Sequence, residues 1–263
     1  AAVMAEYGLT EKVLGIAYDG TGLGSDGNIW GGEFLLADMK GFERLAHLKY
    51  VPLPGGDTAI KHPFRCAVGF IYPNTHRFSK FIHRLDSNQV KIILKQIESK
   101  VNSPLISSMG RLFDAVASII DIKDTVDYEG QAAMELESII LPTEDYYGYR
   151  IVKEGSKFCI DVNRLLEELY RDYVGGIPKG IISGKFHNTV IKFTVEMAKK
   201  IRDLRKVSKV VLSGGCFQNR YLLEGLYREL QGEGFKVYIP SKIPINDGGI
   251  SLGQAAIACA YFS

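Results

Sequence analysis

At 263 residues, with 46% hydrophobic and 24% charged side chains, the chain has an ordinary globular make-up and enough length to bury a large core, as one domain or as two lobes. Its 32 basic and 30 acidic residues nearly cancel, to a net charge of +2. That balance argues against nucleic acid or a membrane surface as partner, since both select strongly basic faces.

In chain order, residues 13–18, 29–36 and 44–53 read as three successive strands joined by glycine-containing turns. Residues 54–74 mix proline, glycine and short helical pieces and read as an excursion from the core. Helical spacing follows at 90–101, through Val90, Ile93, Leu94 and Ile97, and at 111–120, through Leu112, Val116 and Ile119. Another helix is expected at 130–140, led by Tyr128 and Glu129. Residues 149–152 and 157–160 suit a hairpin turning at Glu154-Gly155-Ser156, after which Asp161 is placed to cap a helix at 162–173. Phe186, Val190, Phe193, Met197, Ile201 and Leu204 form one apolar stripe on a long helix. Residues 207–212, a helix at 219–230 and residues 235–239 then make a strand–helix–strand unit, and a helix at 250–260 closes the chain. Such alternation predicts parallel sheet covered by helices.

Four cysteines, Cys66, Cys159, Cys216 and Cys259, are scattered without a CxxC pair. That spacing fits a reduced, cytoplasmic setting and offers no zinc signature. No apolar run approaches the ~18 residues of a spanning helix. The N-terminus has no charged leader followed by an apolar stretch, so no secretory signal is visible.

Three glycine-rich elements carry the functional information: Ala17-Tyr18-Asp19-Gly20-Thr21-Gly22, Leu212-Ser213-Gly214-Gly215 and Asn246-Asp247-Gly248-Gly249. Each is expected where a strand hands over to a loop, and the last two open helices. Glycine lets backbone N–H groups approach a ligand, and N–H clusters at helix starts attract phosphate. Two such loops far apart in sequence suggest a nucleotide gripped between two lobes.

The stretch from Tyr18-Asp19-Gly20-Thr21-Gly22-Leu23-Gly24 to Ile29-Trp30-Gly31-Gly32-Glu33-Phe34 resembles the HypF family of carbamoyltransferases, which act in making the cyanide ligands of [NiFe]-hydrogenase. Further matches are Pro52-Leu53-Pro54-Gly55-Gly56-Asp57, Tyr128-Glu129-Gly130-Gln131-Ala132-Ala133, Ser213-Gly214-Gly215-Cys216-Phe217-Gln218-Asn219-Arg220 and the segment from Asn246 to Ala255. More distantly, the chain is similar to the threonylcarbamoyl-transferring proteins that modify tRNA. The resemblance implies an α/β, two-lobed actin-like ATPase (ASKHA) fold, truncated at its N-terminus. It suggests a first lobe at 1–128, a second at 129–246 and a closing helix at 247–263. It further implies carbamoyl transfer from carbamoyl-adenylate to a cysteine thiol of the partner HypE. The family's HxxxH metal ligands do not occur in this sequence, so the resemblance places two histidine ligands upstream, together with an acylphosphatase-like domain, zinc-binding modules and a carbamoyl-adenylate-forming domain.

Against that background each candidate has two readings. Asp19 is a metal ligand or water activator beside phosphate, or a turn residue bonding its own backbone. Asp247 is a ligand of a divalent metal (iron, zinc or magnesium), or a helix cap. The resemblance assigns both to catalysis and to the metal. It assigns adenine nucleotide (carbamoyl-adenylate, AMP or ATP) to Gly20, Thr21, Gly22, Gly110, Asp114, Glu129, Gly130, Asn188, Gly214, Gly215 and Asn219, with Asp114 on the ribose. His187 reads as a structural histidine. Cys216 sits where a helix start would lower its pKa, yet a small packed residue is the favoured reading. The run Lys199, Lys200, Arg202, Arg205, Lys206, Lys209 reads as a solvated helix face. Tyr146, Tyr147 and Tyr149 suit either a partner contact or packing. Two other functions stay open: an actin-fold small-molecule kinase, and a non-catalytic nucleotide-binding interaction module.

Overall fold

A computed structural model describes residues 1–262, so the last position of the expected closing helix, 263, lies outside the described residues. Among these residues the strands are β1 (Val13–Leu23), β2 (Ile29–Asp38), β3 (Gly41–Leu48), β4 (Val51–Pro52), β5 (Leu105–Ile106), β6 (Arg150–Glu154), β7 (Lys157–Asp161), β8 (Lys209–Ser213) and β9 (Lys236–Tyr238). They form one mixed sheet in the order β6-β7-β3-β2-β1-β8-β9, with β4 and β5 attached beside β2. The helices are α1 (Ala2–Glu6), α2 (Asp57–Lys61), α3 (Pro63–Ile71), α4 (Ser79–Arg84), α5 (Ser87–Ser99), α6 (Met109–Ile119), α7 (Gln131–Ser138), α8 (Asn163–Val174), α9 (Lys179–Arg205), α10 (Arg220–Gly232) and α11 (Ile250–Phe262).

Period-two alternation builds the centre. Leu14, Ile16 and Tyr18 of β1, with Val210 and Leu212 of β8, enter the main core. Val13 and Val211 point the other way, into a small cluster with Val3 and Met4 of α1. β1 runs antiparallel to β2 and parallel to β8, and β8 is parallel to β9, as the helical alternation predicts. Tyr18 ties this centre to α9: its hydroxyl is 2.7 Å from Thr194 Oγ1, and its ring stacks 5.4 Å from Phe217.

Two expectations change. Residues 54–74 are no excursion, because α3 begins with Pro63, which helix starts tolerate, and buries Phe64, Cys66, Ala67, Val68, Phe70 and Ile71. The apolar stripe of α9 ends at Ile201, while Leu204 is exposed. Elsewhere the sheet and the core run on through the described residues. The β6–β7 hairpin pairs with β3 through Ala46↔Phe158, and β8 pairs with β1. One apolar cluster runs from Leu14 to Phe235.

The basic run is a solvated face held by acids: Lys199 pairs with Glu233, Lys200 with Glu196, Arg205 with Glu43 and Lys209 with Glu11. Tyr147 and Tyr149 pack and bond Asp172 and Glu196, leaving Tyr146 exposed.

Candidate functional site

The first glycine element is a bulge inside a strand. β1 continues to Leu23, but pairing jumps from Tyr18↔Gly32 to Gly22↔Trp30. Asp19, Gly20 and Thr21 therefore face Gly31 alone, which takes their amides off the regular ladder. Thr21 and Gly22 are exposed, and Asp19 and Gly20 half-buried.

The second element meets it directly. Gly214 has φ +110°, and a Cβ there would lie 2.2 Å from the Tyr18 carbonyl oxygen, so only glycine fits. A 3-10 turn, Gly215–Gln218, follows before α10. Three of the amides in these loops bond groups of the protein itself. Gly20 N–H donates to Asp19 Oδ1 at 2.7 Å, the Gly215 amide also bonds the Asp19 carboxylate, and Gly214 N–H donates to the Ile245 carbonyl at 3.0 Å. Asp19 thus latches two loops almost 200 residues apart. Burial raises its pKa and so do the charges of Asp247 and Glu129, while the two amides oppose them.

The third participant is α6, buried along its whole length. Ser108 caps it, accepting Arg111 N–H at 3.1 Å, and its hydroxyl contacts the carbonyls of Asp19 (3.0 Å) and Gly20. A Cβ on Gly110 would come within 2.9 Å of Gly20 Cα, so α6 and the bulge touch backbone to backbone. One turn on, Asp114 is buried and pushed up to about 6, by burial chiefly and by Glu129, with Arg111 opposing. Glu129 is exposed and precedes Gly130, which starts α7 with φ +81°. A Cβ on Gly20 would lie 3.2 Å from Glu129 Oε1 and 3.4 Å from an Arg111 Nη2 nitrogen. Asp19, Gly20, Gly110, Asp114, Glu129, Gly214 and Gly215 therefore gather at one place.

Asn188 and Asn219 stand apart from that cluster. Asn219 Oδ1 caps α10 at Leu222 N–H (2.8 Å), and its amide nitrogen donates to His187 Nε2 at 2.9 Å. His187 Nδ1 is 2.8 Å from the Ser183 carbonyl, which makes Nδ1 the protonated nitrogen; burial holds its pKa down to about 4. Asn188 donates to the Thr143 (2.7 Å) and Asp145 (3.0 Å) carbonyls and accepts from the Tyr221 hydroxyl. Both amides are occupied by protein groups. They flank a cavity of about 650 Å³ lined by Ile140, Pro142, Thr143, Tyr221, Arg220 and three glutamates, which is large enough for a base and ribose. A second cavity of about 520 Å³, lined by residues such as Arg77, Arg150, Asp161 and Arg171, contains none of the candidates.

The third glycine element differs. Asn246, not Asp247, caps it, accepting Gly248 N–H at 3.2 Å. The exposed Asp247 is left close enough to raise the pKa of Asp19. Among the described residues no group of three His, Cys, Asp or Glu side chains is placed to hold a metal ion. Two carboxylates alone do not make a divalent site, which takes four or more donors, so these residues do not fit a metal on their own. The Cys216 thiol, for which a helix start predicted a lowered pKa, is instead pushed up by burial and by Asp19. A 3-10 turn separates it from the helix, and charge nearby is negative. Arg111 is a buried residue of this region that the sequence did not single out. Its signal was a charged side chain on the apolar face of α6, at 3% exposure.

Fold and site together define an actin-like α/β module in which glycine-rich elements meet at one junction. Residues 15–254 match the family described as Carbamoyltransferase, Kae1-like Domain, second subdomain. The chain belongs to this family of HypF-type carbamoyltransferases. It is 38% identical over 273 aligned positions to the carbamoyltransferase HypF of Synechocystis sp., covering 96% of this chain and 35% of that protein. A crystal structure of full-length HypF in the phosphate- and nucleotide-bound form superposes with a TM-score of 0.98 at 54% identity, covering 100% of this chain and 35% of that one. The T. kodakarensis HypF crystal structure gives a TM-score of 0.87 at 29% identity, over 99% and 35%. The chain thus spans about a third of these relatives. Among the described residues no helix is long and apolar enough to cross a membrane.

Proposed function

We propose that these residues form the adenine-nucleotide side of a carbamoyl-transfer site serving [NiFe]-hydrogenase maturation, with carbamoyl-adenylate as donor and the C-terminal cysteine thiol of a HypE partner as acceptor. The observation that carries this reading is the meeting of Asp19–Gly20, Gly110–Asp114 and Gly214–Gly215 at one place, in a chain that matches a carbamoyltransferase family along nearly its whole length. In this reading the base takes the cavity beside Tyr221, and the ribose and phosphate extend from it toward Asp114 and the Gly20–Gly215 junction. In the reaction the partner's thiolate attacks the carbamoyl carbon, a C–S bond forms, the bond to the phosphate oxygen breaks and AMP leaves. The chain's part is to bind and orient the nucleotide and to stabilise the departing phosphate. No nucleophile is required of Cys216, whose raised pKa suits packing.

A metal is proposed only with donors beyond these residues: the two histidines implied by the resemblance, joined to Asp247. The chemistry such an ion supplies is polarisation of an oxygen on the reacting group. Adenylate formation from carbamoyl phosphate and ATP is assigned to other parts of the longer protein, which acts in the cytoplasm.

The test supplies carbamoyl-adenylate and a HypE-type acceptor to the chain, alone and within a full-length HypF. AMP release with a mass gain of one carbamoyl group on the acceptor thiol, greater in the full-length protein, is expected. In a parallel incubation with ATP, magnesium and candidate small-molecule acceptors, ADP with a phosphorylated small molecule would establish the kinase instead. Pyrophosphate release by the chain alone from ATP and carbamoyl phosphate, at the rate of the intact protein, would refute the division of labour.

A further inference from the structure

Arg111 has no role in the reading so far, yet its position is costly. It is 97% buried by its 3% exposure, and its neighbours are acids and apolar side chains. Nε stands 3.1 Å from Asp114 Oδ2 without hydrogen-bond geometry, and Nη1 has no hydrogen-bond partner. A buried guanidinium with an unused donor is unfavourable unless a ligand completes it. The Arg111 head lies at the glycine junction, where Nη2 is 3.4 Å from the position of a Gly20 Cβ and Gly110 meets Gly20 backbone to backbone. The amides that glycine motifs usually offer to phosphate are occupied there, since Gly20 and Gly215 bond Asp19 and Gly214 bonds Ile245. Arg111 supplies an unspent side-chain donor at that junction.

We propose that Arg111 is a ligand-binding residue: its guanidinium donates to a phosphoryl oxygen of the bound adenine nucleotide, in place of the expected glycine amides. This rests on the nucleotide-binding reading and adds what selects a nucleotide over a nucleoside. A planar cation with fixed donors matches phosphoryl oxygens, and its weak hydration makes it cheaper to bury than an ammonium. Asp114, three residues on, keeps the fork oriented.

Calorimetry with the 263-residue chain distinguishes the outcomes, using AMP, adenosine and inorganic phosphate as probes. The wild-type chain should prefer AMP to adenosine, and inorganic phosphate should compete with AMP. Arg111→Met should weaken AMP by about tenfold or more while leaving adenosine within twofold. Removing Arg111 strands the Asp114 carboxylate, so the same comparison is made in an Asp114→Asn background. There Arg111→Met should again lower AMP affinity alone. Equal AMP affinity with and without Arg111, in protein that melts normally, overturns the inference and leaves the nucleotide reading standing. Parallel losses of AMP and adenosine assign Arg111 to packing and also overturn it. A wild-type chain that binds neither nucleoside nor nucleotide overturns the nucleotide reading itself, and this inference with it.

Discussion

The Asp19–Gly22 and Gly214–Gly215 elements and the Asn246–Gly249 element read alike as short polar–glycine motifs, yet the protein treats them differently. The first two are locked. Asp19 accepts amides from both, Gly214 is pressed against Tyr18, and Tyr18 is buried against Phe217 and Thr194. The third leads into α11, which is apolar on every side but buries Gly253 alone, with Ile250 and Phe262 exposed at 52% and 93%. Among its ties are Gly249 and Gly253 against Ala2, and the Tyr261 hydroxyl donating to the Lys40 carbonyl at 2.8 Å. A glycine motif becomes a rigid half-site when a buried strand holds it from beneath. Without that support it is only a turn.

Glycine substitution breaks the comparison most sharply. Gly214→Ala should cost about 3 kcal/mol or more, because its φ is left-handed and its Cβ would overlap the Tyr18 carbonyl. Gly248→Ala meets an exposed proline ring, Pro244, at 2.9 Å and should cost under about 1 kcal/mol. Urea denaturation measures both, and equal costs would abolish the distinction.

Titration comes next, since the buried groups belong to the locked region. The Asp114 carboxyl goes from an ordinary 3.8 up to about 6, so the folded protein holds that proton more tightly. Its stabilising contribution is full below pH 3.8 and is lost as pH rises through about 6, on the order of 3 kcal/mol. His187 is held down from 6.5 to about 4, so its contribution is full above pH 6.5 and is lost as pH falls toward 4. Asp114→Asn should make stability rise more steeply with pH across this range, and His187→Gln should make it rise less. Thermal melts from pH 4 to 7 test the signs; either variant moving the slope the other way would contradict them.

Removing the latch is a smaller step. Asp19→Ala leaves the Gly20 and Gly215 amides without their acceptor and should cost about 1–3 kcal/mol. Asp247→Ala removes an exposed carboxylate and should stay within about 0.5 kcal/mol. The smallest effect is expected on α11, where Ile250→Gln should change stability by no more than about 0.5 kcal/mol. A loss of several kcal/mol at Ile250 would mean that α11 is packed as firmly as β1.

Much of this was legible locally. The β1, β2 and β3 strands, the β6–β7 hairpin, α5, α6, α8 and the long α9 follow from apolar periods of two and 3.6 together with turn residues. Asp19, Gly20, Gly214 and Gly215 stood out because glycine-rich turns after apolar β-branched runs are locally unusual, whereas Gly110 and Asp114, inside α6, were indicated only by the family resemblance. Boundaries failed where long-range packing overruled composition, as when α3 turned a proline-rich stretch into core.

The chain's own residues determined which segments are strands and helices, where glycine is required, and that the family's nucleotide-side motifs are present. Those properties depend on neighbours a few positions away. The tertiary structure alone decided how the donors and charges are used. It occupied the Gly20, Gly214 and Gly215 amides, gave the cap to Asn246 instead of Asp247, raised the Cys216 thiol and left Arg111 with an unpartnered nitrogen. Hydrogen-bond satisfaction and desolvation are set by groups brought together across nearly 200 residues, and no local pattern records which of them will meet.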